Sequence, residues 1–202
     1  MRKTLASLLL LTTVTVLSTA CRKEIDKAQF KSAIDASLAH HHECVWPEMV
    51  KMPAEADPSK DERTRDFDAL TDAGLLARAP EEKKRFLVGS KPVNLYDLSD
   101  KGHTAWTPDP SQPGYGNFCF GHFSVTTVDS AVPNDPSNPT QYAVTYHYEV
   151  IGVPEWATTA ESRLTFPKIA KDTAIQAATA NVVKDSSGGW VVTNPQPAKP
   201  GQ

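Results

Sequence analysis

The sequence predicts an α+β protein in which a helical N-terminal half is followed by a four-stranded antiparallel sheet. Apolar residues of the first half recur at the three- and four-residue spacing of helices, whereas those of the second half alternate with polar residues as in strands. Residues 107–116 (TPDPSQPGYG) contain three prolines and two glycines, which favours a linker between the halves. We therefore expect one region over residues 21–106 and another over residues 117–193.

Residues 1–20 have the layout of a secretory signal peptide. Arg2 and Lys3 precede the apolar run Leu5–Leu17, and small residues up to Ala20 offer a cleavage site. A helix needs roughly twenty apolar residues to cross a bilayer, so this shorter run predicts an export signal and not a permanent span. Cleavage after Ala20 removes two basic residues and no acidic residue, which changes the formal net charge from −3 to −5. This mildly acidic balance favours neither nucleic acid nor anionic lipid as a partner.

A cysteine follows the cleavage site directly, in the sequence Ser18-Thr19-Ala20-Cys21. This arrangement resembles that of bacterial lipoproteins, in which such a cysteine becomes the lipidated N-terminus. The resemblance implies a multiply acylated Cys21, because a single acyl chain binds a membrane only weakly. It also implies a periplasm-facing protein of the cell envelope, and Arg22 favours the outer membrane over the inner one. Ordinary secretion is the alternative, since the small residues also suit a general signal peptidase.

Two further cysteines, Cys44 and Cys119, predict a disulfide, because an exported chain folds in an oxidising compartment. The absence of a Cys-x-x-Cys motif argues against a redox-active pair. A bond that closes a loop of about 75 residues would stabilise the fold by on the order of 4 kcal/mol in the chain-entropy model. A metal-binding thiol is the alternative interpretation.

The first predicted helix covers residues 24–42. Its apolar positions follow the i, i+3, i+4, i+8 spacing of one helix face. They are Phe30, Ala33, Ile34 and Leu38. Residues 47–61 contain three prolines and predict a loop.

A second helix is expected from residue 61 to residue 73, and Gly74 is placed to end it in a left-handed conformation. Two strands, 85–88 and 93–98, are predicted next. Ser99 is then placed to cap a short helix that ends near Trp106.

The segments FDALTDAGLLAR and VNLYDLSDKGHTAW, at about residues 66–106, resemble part of a winged-helix module. In that family a helix ends in Gly-Leu-Leu, a two-stranded wing follows, and Tyr-x-Leu-Ser/Thr-x-x-Gly begins the next helix. The helix before the glycine binds DNA and is usually basic. Here it carries five acidic and two basic residues over positions 61–73. The resemblance therefore implies a retained scaffold without nucleic acid as a partner.

The second half predicts the antiparallel sheet. In the clearest segment, residues 140–151, one face carries apolar and aromatic side chains and the other mainly polar ones. The first face has Tyr142, Val144, Tyr146, Tyr148 and Val150, and the second has Gln141, Thr145, His147 and Glu149. The loop Asp185–Gly189 (DSSGG) is typical of a hairpin. The four predicted strands are 117–128, 140–151, 174–184 and 189–193. Residues 194–202 contain three prolines and predict a disordered tail.

Two clusters offer metal ligands or a catalytic site. His40, His41, His42, Glu43 and Cys44 are consecutive, and their imidazole and thiolate groups suit zinc or copper. Adjacent helix residues point about 100° apart, however, so three consecutive histidines cannot reach one ion. The alternative is a helix C-terminus, where histidine interacts favourably with the dipole.

His122, His147 and Glu149 form the second cluster, because the strands that carry them are predicted to be neighbours. A half-solvated sheet face gives the same pattern without a site. Aromatic residues concentrated in the second half favour either a ligand groove or a core between sheet and helices. They are Phe118, Phe120, Phe123, Tyr142, Tyr146, Tyr148 and Trp156.

The chain lacks motifs for a nucleophile, for paired carboxylates and for a phosphate-binding loop. We therefore expect a non-enzymatic binding or structural module of the bacterial cell envelope, without a cofactor. It would attach to the membrane through Cys21 and bind a protein or a small molecule. The first alternative is a metal-binding or hydrolytic envelope protein that uses one of the histidine clusters. The second is a DNA-binding winged-helix protein whose leader is not an export signal.

Overall fold

A computed structural model describes residues 27–59, 61–84 and 89–193. The predicted signal peptide, Cys21 and the predicted tail lie outside these ranges. Of the described residues, 44% are in strands and 28% in helices. Within the same ranges, no helix combines the length and the apolar character that crossing a bilayer requires.

Helices and strands are interspersed along the described chain. The helices are α1 (Lys27–Leu38), α2 (Asp61–Asp72), α3 (Asp100–Ala105), α4 (Glu155–Thr158), α5 (Ala160–Thr165) and α6 (Pro167–Asp172). The strands are β1 (His42–Cys44), β2 (Val50–Lys51), β3 (Ala54–Ala56), β4 (Leu76–Lys84), β5 (Ser90–Leu98), β6 (Trp106–Pro108), β7 (Tyr115–Pro133), β8 (Gln141–Ile151), β9 (Gln176–Lys184) and β10 (Trp190–Val192).

The larger sheet has seven antiparallel strands and is organised around β7, which is 19 residues long. Its order is β1-β7-β8-β9-β10, while β2 and β6 both pair with the first residues of β7. The register of β7 against β8 shifts twice, between Val125 and Thr127 and between Val128 and Ser130. Such bulges bend a strand and increase its twist, which accounts for the curl of this sheet.

One glycine allows β7 and β8 to approach closely. Gly121 has a φ of +138°, a conformation that side chains rarely adopt. A Cβ atom at this position would lie 2.4 Å from the carbonyl oxygen of Ile151. Glycine is therefore required here.

The core lies between α1 and one face of the large sheet. Alternate residues of β8 are buried on that face, and Phe30, Ile34 and Leu38 of α1 are buried with them. The ring of Phe30 contacts that of Tyr142, with a centroid separation of 4.9 Å. Each side chain of this size contributes about 1.5–3 kcal/mol when it is removed from water.

Helix α1 also covers one edge of β7 with polar side chains. Asp35 Oδ1 accepts a hydrogen bond from the backbone N–H of Val125 at 2.7 Å, and Lys31 Nζ donates to the Val125 carbonyl. Lys27 Nζ donates to the carbonyl of Asp129 at 2.6 Å. These contacts satisfy strand groups that would otherwise form a pairing edge.

The smaller sheet has three strands in the order β3-β5-β4, and α2 packs against it. Buried Phe67 of α2 lies 5.0 Å from the ring of Tyr96. The Tyr96 hydroxyl donates to Asp68 Oδ1 at 2.7 Å, and Arg78 binds the same carboxylate at 2.8 Å. Burial, and then the hydrogen bond to Asp68, raise the pKa of Tyr96.

Four loops of the described part share one aspartate–serine turn. In each loop the aspartate Oδ1 accepts from both the backbone N–H and the hydroxyl of the serine two residues later. The aspartates are Asp57, Asp109, Asp135 and Asp185. These hydrogen bonds lower the pKa of all four carboxyls, although at Asp57 the bond from Lys91 is the larger cause.

The predicted fold class is wrong, because the N-terminal half is not helical. Five strands precede residue 100, and two of them, β4 and β5, have nine residues each. After Leu76 every residue of β4 is exposed, so no apolar alternation marks it as a strand. Its conformation comes from continuous pairing with β5.

The predicted four-stranded sheet is also wrong. The segments that extend it to seven strands, β1, β2 and β6, are only two or three residues long. Such segments are too short to show a period in the sequence, and they are strands because they pair with β7.

Several local predictions are confirmed. Gly74 follows α2 with a φ of +76°. The Ser99 hydroxyl accepts from the backbone N–H of Gly102 at 2.9 Å and caps α3. The strand predicted at 85–88 lies outside the described residues, and the first strand of this hairpin is β4. The winged-helix resemblance and the boundary at 107–116 stay predictions.

Candidate ligand-binding cleft

The two cysteines lie opposite each other on β1 and β7. Their register is Cys44 to Cys119, and their sulfur atoms are 2.07 Å apart, which is the distance of a disulfide bond. This pair and the main-chain bond from Val45 N–H to the Phe118 carbonyl, at 3.0 Å, hold the chain that leaves β1 against β7. The segment that follows is thereby fixed in place.

The consecutive histidines are not at a helix C-terminus as a group. Helix α1 ends at Leu38, whereas His42 begins β1, because it pairs with His122 of β7. The rings of His42 and His122 have a centroid separation of 6.4 Å. His40 and His41 are exposed in the connection between α1 and β1.

The cluster of His122, His147 and Glu149 is not brought together. His122 lies opposite Ile151, whereas His147 lies opposite Thr127, so the two histidines are separated along the β7–β8 ladder. His147 Nδ1 instead contacts Asp129 Oδ2 at 2.9 Å. In the ranges that the structure describes, no group of three or more histidine, cysteine, aspartate or glutamate side chains is placed to hold a metal ion.

The aromatic residues of the second half form the core and not a groove. All seven are buried, as the structural alternative predicts. Burial raises the pKa of Tyr146 to about 12. Burial, and then the negative charge of Asp172, raise the pKa of Tyr148.

A charged cluster joins α6 to β1. Lys168 Nζ contacts Glu43, lies 2.8 Å from Asp172 Oδ2 and is 5.2 Å from the centre of the Phe120 ring. Both carboxylates are largely buried, so the lysine compensates their charge. The contacts of the cluster are thus internal to the fold.

A cleft of about 490 Å³ lies between residues 46–51 and α2. Its size is within the range of small-molecule and peptide-side-chain pockets. The lining combines aromatic, apolar and charged side chains of both signs. It consists of Trp46, Pro47, Glu48, Met49, Val50, Lys51, Arg63, Asp66, Phe67 and Tyr115.

Asn117 holds one wall of this cleft. Its Nδ2 donates to the Trp46 carbonyl at 2.8 Å, and its Oδ1 accepts from the Trp46 backbone N–H at 3.3 Å. The same Nδ2 also contacts the carbonyl of Glu48 at 3.4 Å. Asn117 is only 3% exposed, so its polar groups are satisfied by this wall and the loop position is well defined.

The aromatic part of the cleft is fixed by contacts with α2. The rings of Trp46 and Phe67 meet edge to face at 5.8 Å. The guanidinium carbon of Arg63 lies 5.3 Å from the centre of the Phe67 ring. Trp46 and Tyr115 are only half-buried, and Met49 is 42% exposed. The cleft therefore presents apolar surface to solvent beside charged groups.

A second cavity, of about 400 Å³, lies between α2 and α5. Its charged lining is dominated by acidic side chains, and it contains no aromatic ring. The lining is Pro58, Thr64, Arg65, Asp68, Ala69, Asp72, Glu161 and Thr165. With Asp68 already bound by Tyr96 and Arg78, this cavity offers fewer contacts for a ligand than the aromatic cleft.

No family model matches the chain, and neither a curated protein nor a solved structure matches it. The cleft residues were not among the sequence-predicted sites. Trp46, directly before the loop predicted at residues 47–61, is the signal that could have indicated them, because a large aromatic residue next to a loop often contacts a ligand.

Proposed function

We propose that the chain is an exported lipoprotein, anchored through Cys21, that acts as a non-enzymatic binding module of the cell envelope. Its binding site is the cleft between residues 46–51 and α2. The observation that carries the proposal is the partly exposed aromatic and apolar surface of Trp46, Met49 and Tyr115. Most other large aromatic side chains of the sheet are buried in the core, whereas Trp106 of β6 and Trp190 of β10 are half-buried like Trp46 but do not line the cleft.

The anchor is tested by intact mass of the protein purified from bacterial membranes. We expect a chain that begins at an acylated Cys21 and lacks the two hydrogens of Cys44 and Cys119. Cys21→Ser should move the protein to the soluble fraction, whereas Ser32→Ala should not. A full-length, unmodified chain in the cytosol would contradict the anchor and the export.

The binding role is tested by site-specific photo-crosslinking in living cells. The benzophenone amino acid replaces Met49 at the cleft or, as the control, Leu164, which is 82% exposed and does not line the cleft. We expect a discrete crosslinked product only at position 49, and its loss when Arg63→Ala is added. Equal products at both positions would argue against the cleft.

A further inference from the structure

The main chain of β2 has one residue whose peptide groups point away from the sheet. Val50 pairs with Gly116, Lys51 pairs with Tyr115, and Met52 N–H donates to the carbonyl of Gly114 at 2.9 Å. In an antiparallel ladder, hydrogen-bonded pairs alternate with pairs that are not bonded. Since Met52 is in a bonded pair, Lys51 is in the other kind, and its N–H and C=O are directed away from β7.

This outer edge borders the aromatic cleft. Val50 and Lys51 line one side of the cleft, and Arg63 and Phe67 of α2 line the other. Among the described strands, β2 pairs only with β7. An open strand edge next to a side-chain pocket is the arrangement that binds an extended peptide by strand addition.

The cleft also has the chemistry to select side chains. The half-buried ring of Trp46, which packs on buried Phe67, forms an apolar base, and Met49 extends it toward solvent. Lys51 and Glu48 place opposite charges along the same wall. A peptide supplies a main-chain donor and acceptor at the spacing of a neighbouring strand together with a side chain for the apolar base. An acyl chain supplies only the apolar contact, and the hydroxyls of a sugar do not have the spacing of a strand.

We propose that the cleft binds an extended segment of a partner protein, which adds one strand to β2 at Lys51 and places a large apolar side chain against Trp46 and Met49. This inference rests on the proposed function and names its ligand class.

The experiment begins with a phage library of random dodecapeptides, selected on the full acylated chain in nanodiscs. Affinities of synthetic selected peptides are then measured by fluorescence anisotropy. Lys51→Pro removes the outward N–H and keeps the bonds of Val50 and Met52 to β7, since proline is tolerated at a strand edge whose N–H faces outward. Lys51→Ala is the matched control, because it removes the same side chain but retains the N–H.

We expect Lys51→Pro to bind about tenfold or more weakly than Lys51→Ala, because the two variants lack the same side chain and differ in the outward N–H. The peptides should share a large apolar residue, and Met49→Ala should weaken binding while Leu164→Ala does not. A second test changes the peptide and leaves the protein unsubstituted, by methylating the peptide backbone nitrogens one position at a time. Methylation should block binding at alternate positions, as a two-residue strand period requires.

The possible failures are distinguishable. Equal binding by Lys51→Pro and Lys51→Ala, or N-methyl effects without alternation, would overturn strand addition even if Met49→Ala still weakens binding at the cleft. Binding that no cleft substitution affects would overturn the proposed site itself. Failure to select any peptide would overturn the peptide class and leave the crosslinking result to decide the proposed function.

Discussion

The large and the small sheet of this protein are stabilised differently. In the large sheet, β8 buries every second residue against the helices, so its strand conformation is tied to the core. In the small sheet, β4 buries Leu76 alone and is otherwise exposed, so main-chain pairing with β5 and surface contacts keep it extended. A sequence pattern identifies a strand of the first kind, because burial of one face imposes the two-residue period. It does not identify a strand of the second kind.

The largest expected effect is at the centre of β8. Tyr146 is 2% exposed, so Tyr146→Ala should lower the free energy of unfolding by about 3–5 kcal/mol through lost burial and a residual cavity. Urea denaturation monitored by circular dichroism gives the value. Thr145→Ala, on the opposite face of the same strand, is the control and should cost less than about 1 kcal/mol. Similar losses for both would show that β8 is not held by its buried face.

A glycine-to-alanine substitution can be compared between the two sheets. Gly121→Ala in β7 should lower the free energy of unfolding by about 3 kcal/mol. The added methyl would clash with the Ile151 carbonyl, and alanine is also strained at this φ. Gly89→Ala, just before β5, has a φ of +76° but nothing within 4 Å, so it should cost only about 1 kcal/mol. Thermal unfolding of both variants measures the difference. Equal costs would mean that φ alone, and not close strand packing, requires glycine at position 121.

Alkaline pH should weaken the large sheet. The pKa of Tyr146 is about 12 in the folded chain and about 10 when unfolded, because burial disfavours the phenolate. The unfolded chain therefore loses this proton first, and stability falls as pH rises above about 10. Urea midpoints between pH 9 and 11.5 test this.

The matched variant for the alkaline experiment is Tyr146→Phe, which has no proton to lose and should show a shallower fall over the same pH range. Tyr115→Phe is the control, and its profile should follow that of the unsubstituted protein. A Tyr146→Phe profile that follows the unsubstituted protein would show that another group causes the alkaline loss.

The smallest expected effect is on the small sheet. Lys83 Nζ lies 2.6 Å from Glu55 Oε2, but both side chains are largely in solvent, so the pair should contribute less than about 0.5 kcal/mol. A double-mutant cycle of Lys83→Ala and Glu55→Ala measures this coupling. A coupling above 1 kcal/mol would mean that surface ion pairs, more than main-chain pairing, hold β4 in place.

Some features of the fold follow from local chemistry and were therefore predictable. The alternation of residues 140–151 predicts β8, the Asp185–Gly189 loop predicts the β9–β10 hairpin, and Ser99 predicts a helix cap. Each of these signals acts within a few residues of the chain. The segments missed by the prediction, such as β2 and β4, have no such local signal.

The candidate site could not be predicted in the same way. Trp46, Arg63 and Tyr115 are far apart in the sequence, and they meet because β1 and β2 pair with β7 and α2 packs beside them. The candidate cluster of His122, His147 and Glu149 also depended on strand register, and in the β7–β8 ladder His122 lies opposite Ile151, four residues beyond His147 along β8.

The sequence by itself determined the strongly alternating strands and the capping residues, because each depends on neighbouring residues alone, and it supplied the pair of cysteines available for a bond. The tertiary structure decided that the N-terminal half contains strands, that the aromatic residues of the second half are core, and that a cleft forms beside Lys51. Those outcomes depend on which distant segments satisfy each other's hydrogen bonds and apolar surface, and that is settled only when the whole chain packs.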